Sequence, residues 1–116
     1  MTMLTFGQTI RNRRVDKKVG LREFAKKIEV SPAFLSKMER DEFNPPGVAK
    51  IARIAKFLEL DKDELLALAG KIASDLPEII CKQPREMATF LRTVSHLTPD
   101  QIQTLSNEAE RMKDGS

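Results

Sequence analysis

The sequence predicts an all-α fold, and three observations support this prediction. No segment shows the strict alternation of apolar and polar residues that marks a half-buried strand. Apolar residues instead recur at helical spacing along almost the whole chain of 116 residues. Short stretches that contain Pro, Gly or capping residues separate the helical segments. We therefore expect a five-helix domain followed by a C-terminal helical extension.

The first three predicted helices span residues 4–17, 21–28 and 32–40, and the second and third are short. In the second helix the inward-facing residues are Leu21, Phe24, Ala25 and Ile28. Ser31 has a side chain suited to the N-cap of the third helix. Pro32 then takes the first helical position, where its missing N–H has no consequence.

A loop over residues 41–47, "DEFNPPG", separates the third helix from the fourth, because two prolines and a glycine cannot continue a helix. The fourth helix spans residues 48–58, with an apolar stripe of Val48, Ile51, Ile54, Ala55 and Leu58. Asp61 is placed to cap a fifth helix that ends near Gly70. These five helices form the first predicted domain, residues 1–70.

The helical pattern restarts in the second predicted region, residues 71–116. A short helix is expected from Pro77, and the next carries an apolar stripe of Met87, Phe90, Leu91 and Val94. The set Thr98, Pro99 and Gln101 marks the start of a last helix. Its inward face includes Ile102 and Leu105, and its tail, "KDGS", is expected to fray.

Charge is distributed unevenly along the chain. The net charge is +3, with 32% charged and 41% hydrophobic residues, which is typical of a soluble globular protein. Residues 11–40 hold ten Lys and Arg against four Asp and Glu, whereas residues 71–116 hold six against seven. A basic first third beside a neutral tail indicates either a module that binds a polyanion or a solvated helical surface.

Several function classes are disfavoured by what the composition lacks. No apolar run approaches the roughly 18–20 residues that span a membrane, and the first residues lack a signal-peptide core, so we expect a cytoplasmic protein.

Cys81 is the one cysteine and is expected to be buried or half-buried. His96 is the one histidine, so no metal site is expected. No nucleophile–base pair is visible, and we predict neither an enzyme nor a cofactor.

The helices over 21–28 and 32–40, joined by a tight turn, have the spacing of a helix-turn-helix unit. Ala25 is small where the two helices must cross, and Val30 can fill the gap at the turn. The outward face of the second helix is formed by Pro32, Ala33, Ser36 and Lys37. Small or basic side chains are what a helix needs to lie in the major groove of DNA.

The stretch "VGLREFAKKIEVSPAFLSKMERDEFNPP", followed by "VAKIARIAKFLELDKDELL", resembles the Xre-type helix-turn-helix regulators, the phage repressor and Cro family. The resemblance covers about residues 5–70. It implies a repressor-like DNA-binding domain and a sequence-specific transcriptional regulator, a dimeric repressor that reads the major groove of double-stranded DNA with helix 32–40.

The resemblance also implies roles for individual residues. It pairs Arg14 with Glu39 as a structural ion pair. The predicted DNA-facing set is Arg22, Lys26, Ser31, Pro32, Ala33, Ser36, Lys37, Arg40 and Asn44. The chain departs from the family where a Ser or Thr cap and a Gln usually stand, since Gly20 and Leu21 occupy those positions. Phosphate anchoring there would then pass to Arg22, Lys26 or Lys18. Pro32 is a second departure, because it stands where the recognition helix commonly has Arg, Ser or Gln, so DNA shape would carry a larger share of the specificity.

The C-terminal region has two structural interpretations, packing on its own domain or dimerisation. We favour a homodimer, because repressors of this class bind half-sites about 34 Å apart. The predicted dimerisation residues are Met87, Phe90, Leu91, Val94, Ile102 and Leu105. The stretch "LPEIICKQPREMATFLRTVSHLT" is also similar to the tails of Xre-type regulators that a metallopeptidase inactivates by cleavage. The alternative function is therefore an antitoxin-like or protease-controlled regulator whose tail binds a protein partner.

Overall fold

The computed structural model describes residues 3–115, which form eight α-helices and no strand. The helices are α1 (Phe6–Asp16), α2 (Leu21–Lys27), α3 (Pro32–Glu39), α4 (Val48–Leu58), α5 (Lys62–Leu68), α6 (Asp75–Lys82), α7 (Pro84–Val94) and α8 (Pro99–Gly115). The predicted all-α class is confirmed. None of the helices in the described range is long and apolar enough to cross a membrane.

The chain divides into two compact units after Ser74. The first unit contains α1 to α5, and the second contains α6 to α8. The assignment of residues 1–70 to DNA binding and of residues 71–116 to dimerisation or partner binding remains a prediction.

The first unit has an apolar core to which all five helices contribute. In this unit α2 packs on α3, α1 packs on both α3 and α4, and α4 packs on α5. The largest fully buried side chains are Phe24, Ile10, Ile28, Leu35, Met38, Ile51, Ile54, Leu58, Leu65 and Leu66. Burying one such side chain stabilises a fold by about 1.5–3 kcal/mol, so this core holds the short helices together.

Two of the expected helix caps form hydrogen bonds at the first turn. The Ser31 hydroxyl accepts from the backbone N–H of Phe34 at 3.1 Å, with Pro32 at the first position of α3. The Asp61 carboxylate accepts from the N–H of Glu64 at 2.9 Å and starts α5. Each cap satisfies a donor that the helix itself leaves unpaired.

Two helices begin with a reciprocal capping box. Thr98 and Gln101 exchange hydrogen bonds of 2.9 and 3.2 Å at the start of α8, where the sequence predicted them. Thr5 and Gln8 form the same arrangement at the start of α1, with bonds of 3.0 and 3.1 Å. As a result, α1 begins at Phe6, two residues later than predicted.

A left-handed residue follows each of the first five helices. The non-glycine examples are Lys18, Glu29, Asp41 and Glu59, with φ between 57° and 60°. Gly70, with φ of 70°, follows α5. This conformation reverses the chain abruptly, and α2 and α3 each end one residue earlier than predicted, at Lys27 and Glu39.

In the second unit α6 packs against α7, and no described residue of α6, α7 or α8 is buried. α6 begins at Asp75, two residues before the predicted start. Cys81 is exposed, so the expectation that it is buried or half-buried is wrong, because no side chain of α6 is fully covered. α8 extends through Gly115 and includes most of the tail that was expected to fray.

Candidate nucleic-acid interface

α3 has one face in the core and one face in solvent. Leu35, Met38 and Glu39 are buried. The exposed residues at its start and on its outer side are Ser31, Pro32, Ala33 and Lys37, and Ser36 is half-buried. The structure thus brings five of the predicted DNA-facing residues onto one short helix and its cap.

A two-pronged ion pair joins α1 to the end of α3. Nε of Arg14 donates to Oε2 of Glu39 at 2.7 Å, and Nη2 donates to Oε1 at 2.9 Å. The side chains of Arg14 and Glu39 are only 12% and 4% exposed. Nη1 of Arg14 also donates to the carbonyl of Val19 at 2.9 Å. The bond with the carboxylate raises the pKa of Arg14, although burial opposes this effect.

The start of α1 lies very close to the end of α3. A Cβ atom on Gly7 would lie 2.5 Å from the carbonyl oxygen of Met38 and 2.7 Å from Oδ1 of Asp41. The N–H of Gly7 donates to the same Asp41 oxygen at 2.8 Å, and the Thr5 hydroxyl donates to Oδ2. Only glycine permits this approach, and Asp41, which the sequence interpretation missed, holds the end of α3 in place.

The ammonium group of Lys37 lies over an aromatic ring. Its Nζ is 5.1 Å from the centroid of the Phe43 ring, within the range of a cation–π contact. Phe43 in turn stacks on Phe34 of α3, with centroids 5.4 Å apart and planes 20° apart. The sequence interpretation missed Phe43, although an aromatic residue in an otherwise polar and Pro-rich loop is an unusual feature.

Arg40, the C-cap residue of α3, is engaged by two neighbours. Its Nη1 donates to Oγ of Ser36 at 2.9 Å, and its Nε and Nη2 donate to Glu42 at 3.0 and 3.1 Å. The bond from Arg40 lowers the pKa of Glu42, and the charges of Arg40 and Lys37 lower it further. The predicted phosphate contact by Arg40 would have to compete with Glu42, which the sequence interpretation also missed.

The remaining predicted DNA-facing residues lie outside α3. Arg22 and Lys26 are exposed on α2, and Asn44 is exposed in the loop before α4. A groove beside α3 is lined by Arg11, Arg14, Leu21, Ser36, Glu39 and Arg40. Arg11, which is exposed on α1, therefore adds a cation next to the predicted set.

The residues predicted to dimerise are poorly covered in the second unit. Phe90 and Leu91 of α7 are 51% and 46% exposed, and Ile102 and Leu105 of α8 are 41% and 39% exposed. The other two predicted residues, Met87 and Val94, are half-buried. The unit therefore leaves large apolar side chains in contact with solvent.

Residues 7–71 match the sequence profile of the helix-turn-helix domain. This match spans more than half of the chain, and the protein belongs to the helix-turn-helix domain family. The resemblance to Xre- and Cro-like regulators is confirmed. No curated protein is similar enough to the chain to count as a match.

Solved structures with similar folds agree with this assignment. The P22 c2 repressor in complex with a synthetic operator is 30% identical, with 54% of this chain and 94% of that chain covered and a TM-score of 0.50. The solution structure of the DNA-binding domain of the P22 c2 repressor is 32% identical, with 57% and 86% covered and a TM-score of 0.51. The SinR–SinI complex is 21% identical, with 95% and 99% covered and a TM-score of 0.50, and supports the fold alone.

Proposed function

We propose that this protein is a sequence-specific DNA-binding transcriptional regulator, a dimeric repressor that acts in the cytoplasm and reads the major groove with α3. The observation that carries the proposal is the division of α3 into a buried inner face and an exposed outer face. Because the inner face is fixed in the core, the outer face is a rigid surface on which Pro32, Ala33 and Lys37 are displayed.

Each exposed residue of α3 has a role that matches its chemistry. The Lys37 ammonium can donate to O6 and N7 of a guanine, and Ala33 can contact a thymine methyl group. Pro32 offers no hydrogen bond to a base and contributes only to the fit of the helix against the DNA surface. Direct base contacts are therefore few, and sequence-dependent DNA shape supplies part of the specificity.

Phosphate contacts hold the helix in register on the duplex. We assign these contacts to Arg22, Lys26, Ser31, Arg40 and Asn44, with Ser36 near the bases. The P22 c2 repressor, which is 30% identical over the matched region, has been solved with its operator, and this supports a DNA-binding role for the first unit. Phosphate contacts make affinity fall as salt rises but carry no sequence information themselves.

We assign dimerisation to the exposed apolar side chains of α7 and α8. Large solvent-exposed apolar surfaces mark sites of protein association. A homodimer would present two copies of α3 to half-sites about 34 Å apart on one face of the duplex. Light scattering on the full chain tests this directly. The wild type should be a dimer, Phe90→Glu should be a monomer, and Thr89→Glu, at an exposed polar position beside it, should stay dimeric.

A different protein partner is the second candidate for the same apolar surface, and it corresponds to an antitoxin-like or protease-controlled regulator. Phe90 and Leu91 are exposed, and an apolar surface of a different protein would cover them as well as a second copy of this chain would. A full chain that is monomeric at micromolar concentration would overturn the homodimer and favour this alternative.

Selection of bound duplexes from a random-sequence DNA library tests the main proposal. The full chain should enrich a motif with two inverted half-sites. Failure to enrich any sequence, with a folded protein, would contradict sequence-specific binding.

A further inference from the structure

We infer that Phe43 is a positioning residue that holds the Lys37 ammonium at the place where it meets a base. The inference rests on the proposed function, because it concerns how the helix that reads DNA is equipped. It assigns a role to a loop residue that lies outside α3 and outside the predicted DNA-facing set.

The geometry around Phe43 has three parts. The ring lies beneath the Lys37 ammonium, with Nζ 5.1 Å from the centroid. The Phe43 ring is also stacked on the ring of Phe34, with centroids 5.4 Å apart. Phe34 is itself half-buried and packed against the core. A continuous column of contacts thus runs from the core to the charged tip of Lys37.

This column matters because lysine is flexible. A lysine side chain has four rotatable bonds and loses conformational entropy when it is fixed. An aromatic face attracts the ammonium and narrows this freedom before DNA arrives. Part of the entropic penalty of ordering Lys37 on a base is thereby removed, which increases discrimination at that base.

The loop geometry places Phe43 at this position. Asp41 has φ of 59°, which turns the chain back directly after α3. The Glu42 N–H then donates to the carbonyl of Lys37 at 2.9 Å, so the chain stays close to the last turn of α3. Phe43 follows, 45% exposed, with one face available to Lys37.

The test compares Phe43→Leu, which removes the ring, with Phe43→Tyr, which retains it. In the DNA-free full chain, the ring current of Phe43 should move the ε-methylene proton signals of Lys37 upfield. The shift should persist in Phe43→Tyr and vanish in Phe43→Leu. Lys37 signals at their ordinary position in the wild type would overturn the inference.

The second readout is base preference, which is measured on the duplexes that the wild-type protein selects. Phe43→Leu should lose about two- to fivefold of the preference at the Lys37 base position, the size of a cation–π contact at an exposed site. Phe43→Tyr should retain it, and the salt dependence should be unchanged, because no charge is removed. In the Lys37→Ala background Phe43→Leu should have no further effect on this position.

The outcomes separate this inference from the proposed function. If Lys37→Ala relaxes the base position but Phe43→Leu does not, the positioning role is overturned and base reading by Lys37 stands. If the wild type selects no sequence, the proposed function fails, and with it the inference. Melting curves of both Phe43 variants verify that they are folded at the assay temperature.

Discussion

Arg14 and Glu39 are joined by two parallel hydrogen bonds of 2.7 and 2.9 Å, with both side chains almost removed from solvent. The pair connects α1 to the last residue of α3, and the third bond from Arg14 connects it to the chain before α2. The orientation of the exposed face of α3 therefore depends on this buried ion pair.

Loss of the Glu39 carboxylate should destabilise the first unit. Glu39→Gln leaves the largely buried charge of Arg14 only partly paired, and we expect the free energy of unfolding to fall by about 2–4 kcal/mol. Urea denaturation measures this change. Glu29→Gln, which breaks the exposed pair with Arg53, is the matched control and should have little effect. Equal losses in the two variants would contradict the structural role of the buried pair.

Gly7 should tolerate no side chain. A methyl group at this position would overlap the backbone oxygens of Met38 and Glu39 at the end of α3. Because backbone atoms cannot move aside cheaply, Gly7→Ala should lower the free energy of unfolding by about 1–3 kcal/mol. Asn12→Ala, at an exposed position of the same helix, should change it by less than about 0.5 kcal/mol. A Gly7→Ala variant as stable as the wild type would show that the two helices can separate easily.

Removal of the Glu42 carboxylate should strengthen DNA binding. In the structure the Glu42 carboxylate accepts two hydrogen bonds from the Arg40 guanidinium. Glu42→Gln weakens this pairing and makes the guanidinium more available to a DNA phosphate. Affinity for all duplexes should rise by roughly threefold, and the slope of log affinity against log salt should steepen by up to about 0.9. Glu59→Gln removes the same charge beside Lys17 and serves as the control. An identical effect of both substitutions would indicate a general charge effect and contradict the competition for Arg40.

The fold should lose stability in acid. The pKa values of Glu29, Glu42 and Glu59 are lowered from 4.5, mainly by hydrogen bonds from cationic partners. Those partners are Arg53, Arg40 and Lys17. Because the unfolded chain binds protons at a higher pH than the folded chain, the stabilisation is present above pH 4.5 and is lost as the pH falls through the lowered values.

Thermal melting between pH 7 and pH 3 measures this dependence. A variant with all three glutamates changed to glutamine should show a shallower decline in melting temperature below pH 4.5. The same decline in the wild type and in the triple variant would assign the acid sensitivity to other carboxylates.

The helices were predictable because their signals are local. Apolar spacing defined α4, and a side-chain oxygen before the first turn identified the starts of α3 and α5. The start of α1 was equally readable, since Thr5 and Gln8 have the spacing of a capping box. The pairing of Arg14 with Glu39 came from the family resemblance, because no spacing rule connects residues 25 positions apart.

The contacts of the loop after α3 were not predictable in the same way. Phe43 reaches Lys37, and Glu42 reaches Arg40, only because Asp41 adopts a left-handed conformation. Aspartate adopts this conformation less readily than glycine, so the turn leaves no clear signal in the sequence. The exposure of Cys81 was missed for a related reason, since periodicity indicates which face of a helix is apolar but not whether anything covers it.

The central claim, that α3 reads DNA through Lys37, is tested most directly by comparing Lys37→Ala with Lys26→Ala on selected and random duplexes at several salt concentrations. Lys37→Ala should reduce discrimination between the duplexes by about tenfold and relax one base position. Lys26→Ala should weaken both duplexes alike and reduce the salt slope by about one. Unchanged discrimination in Lys37→Ala would contradict the claim.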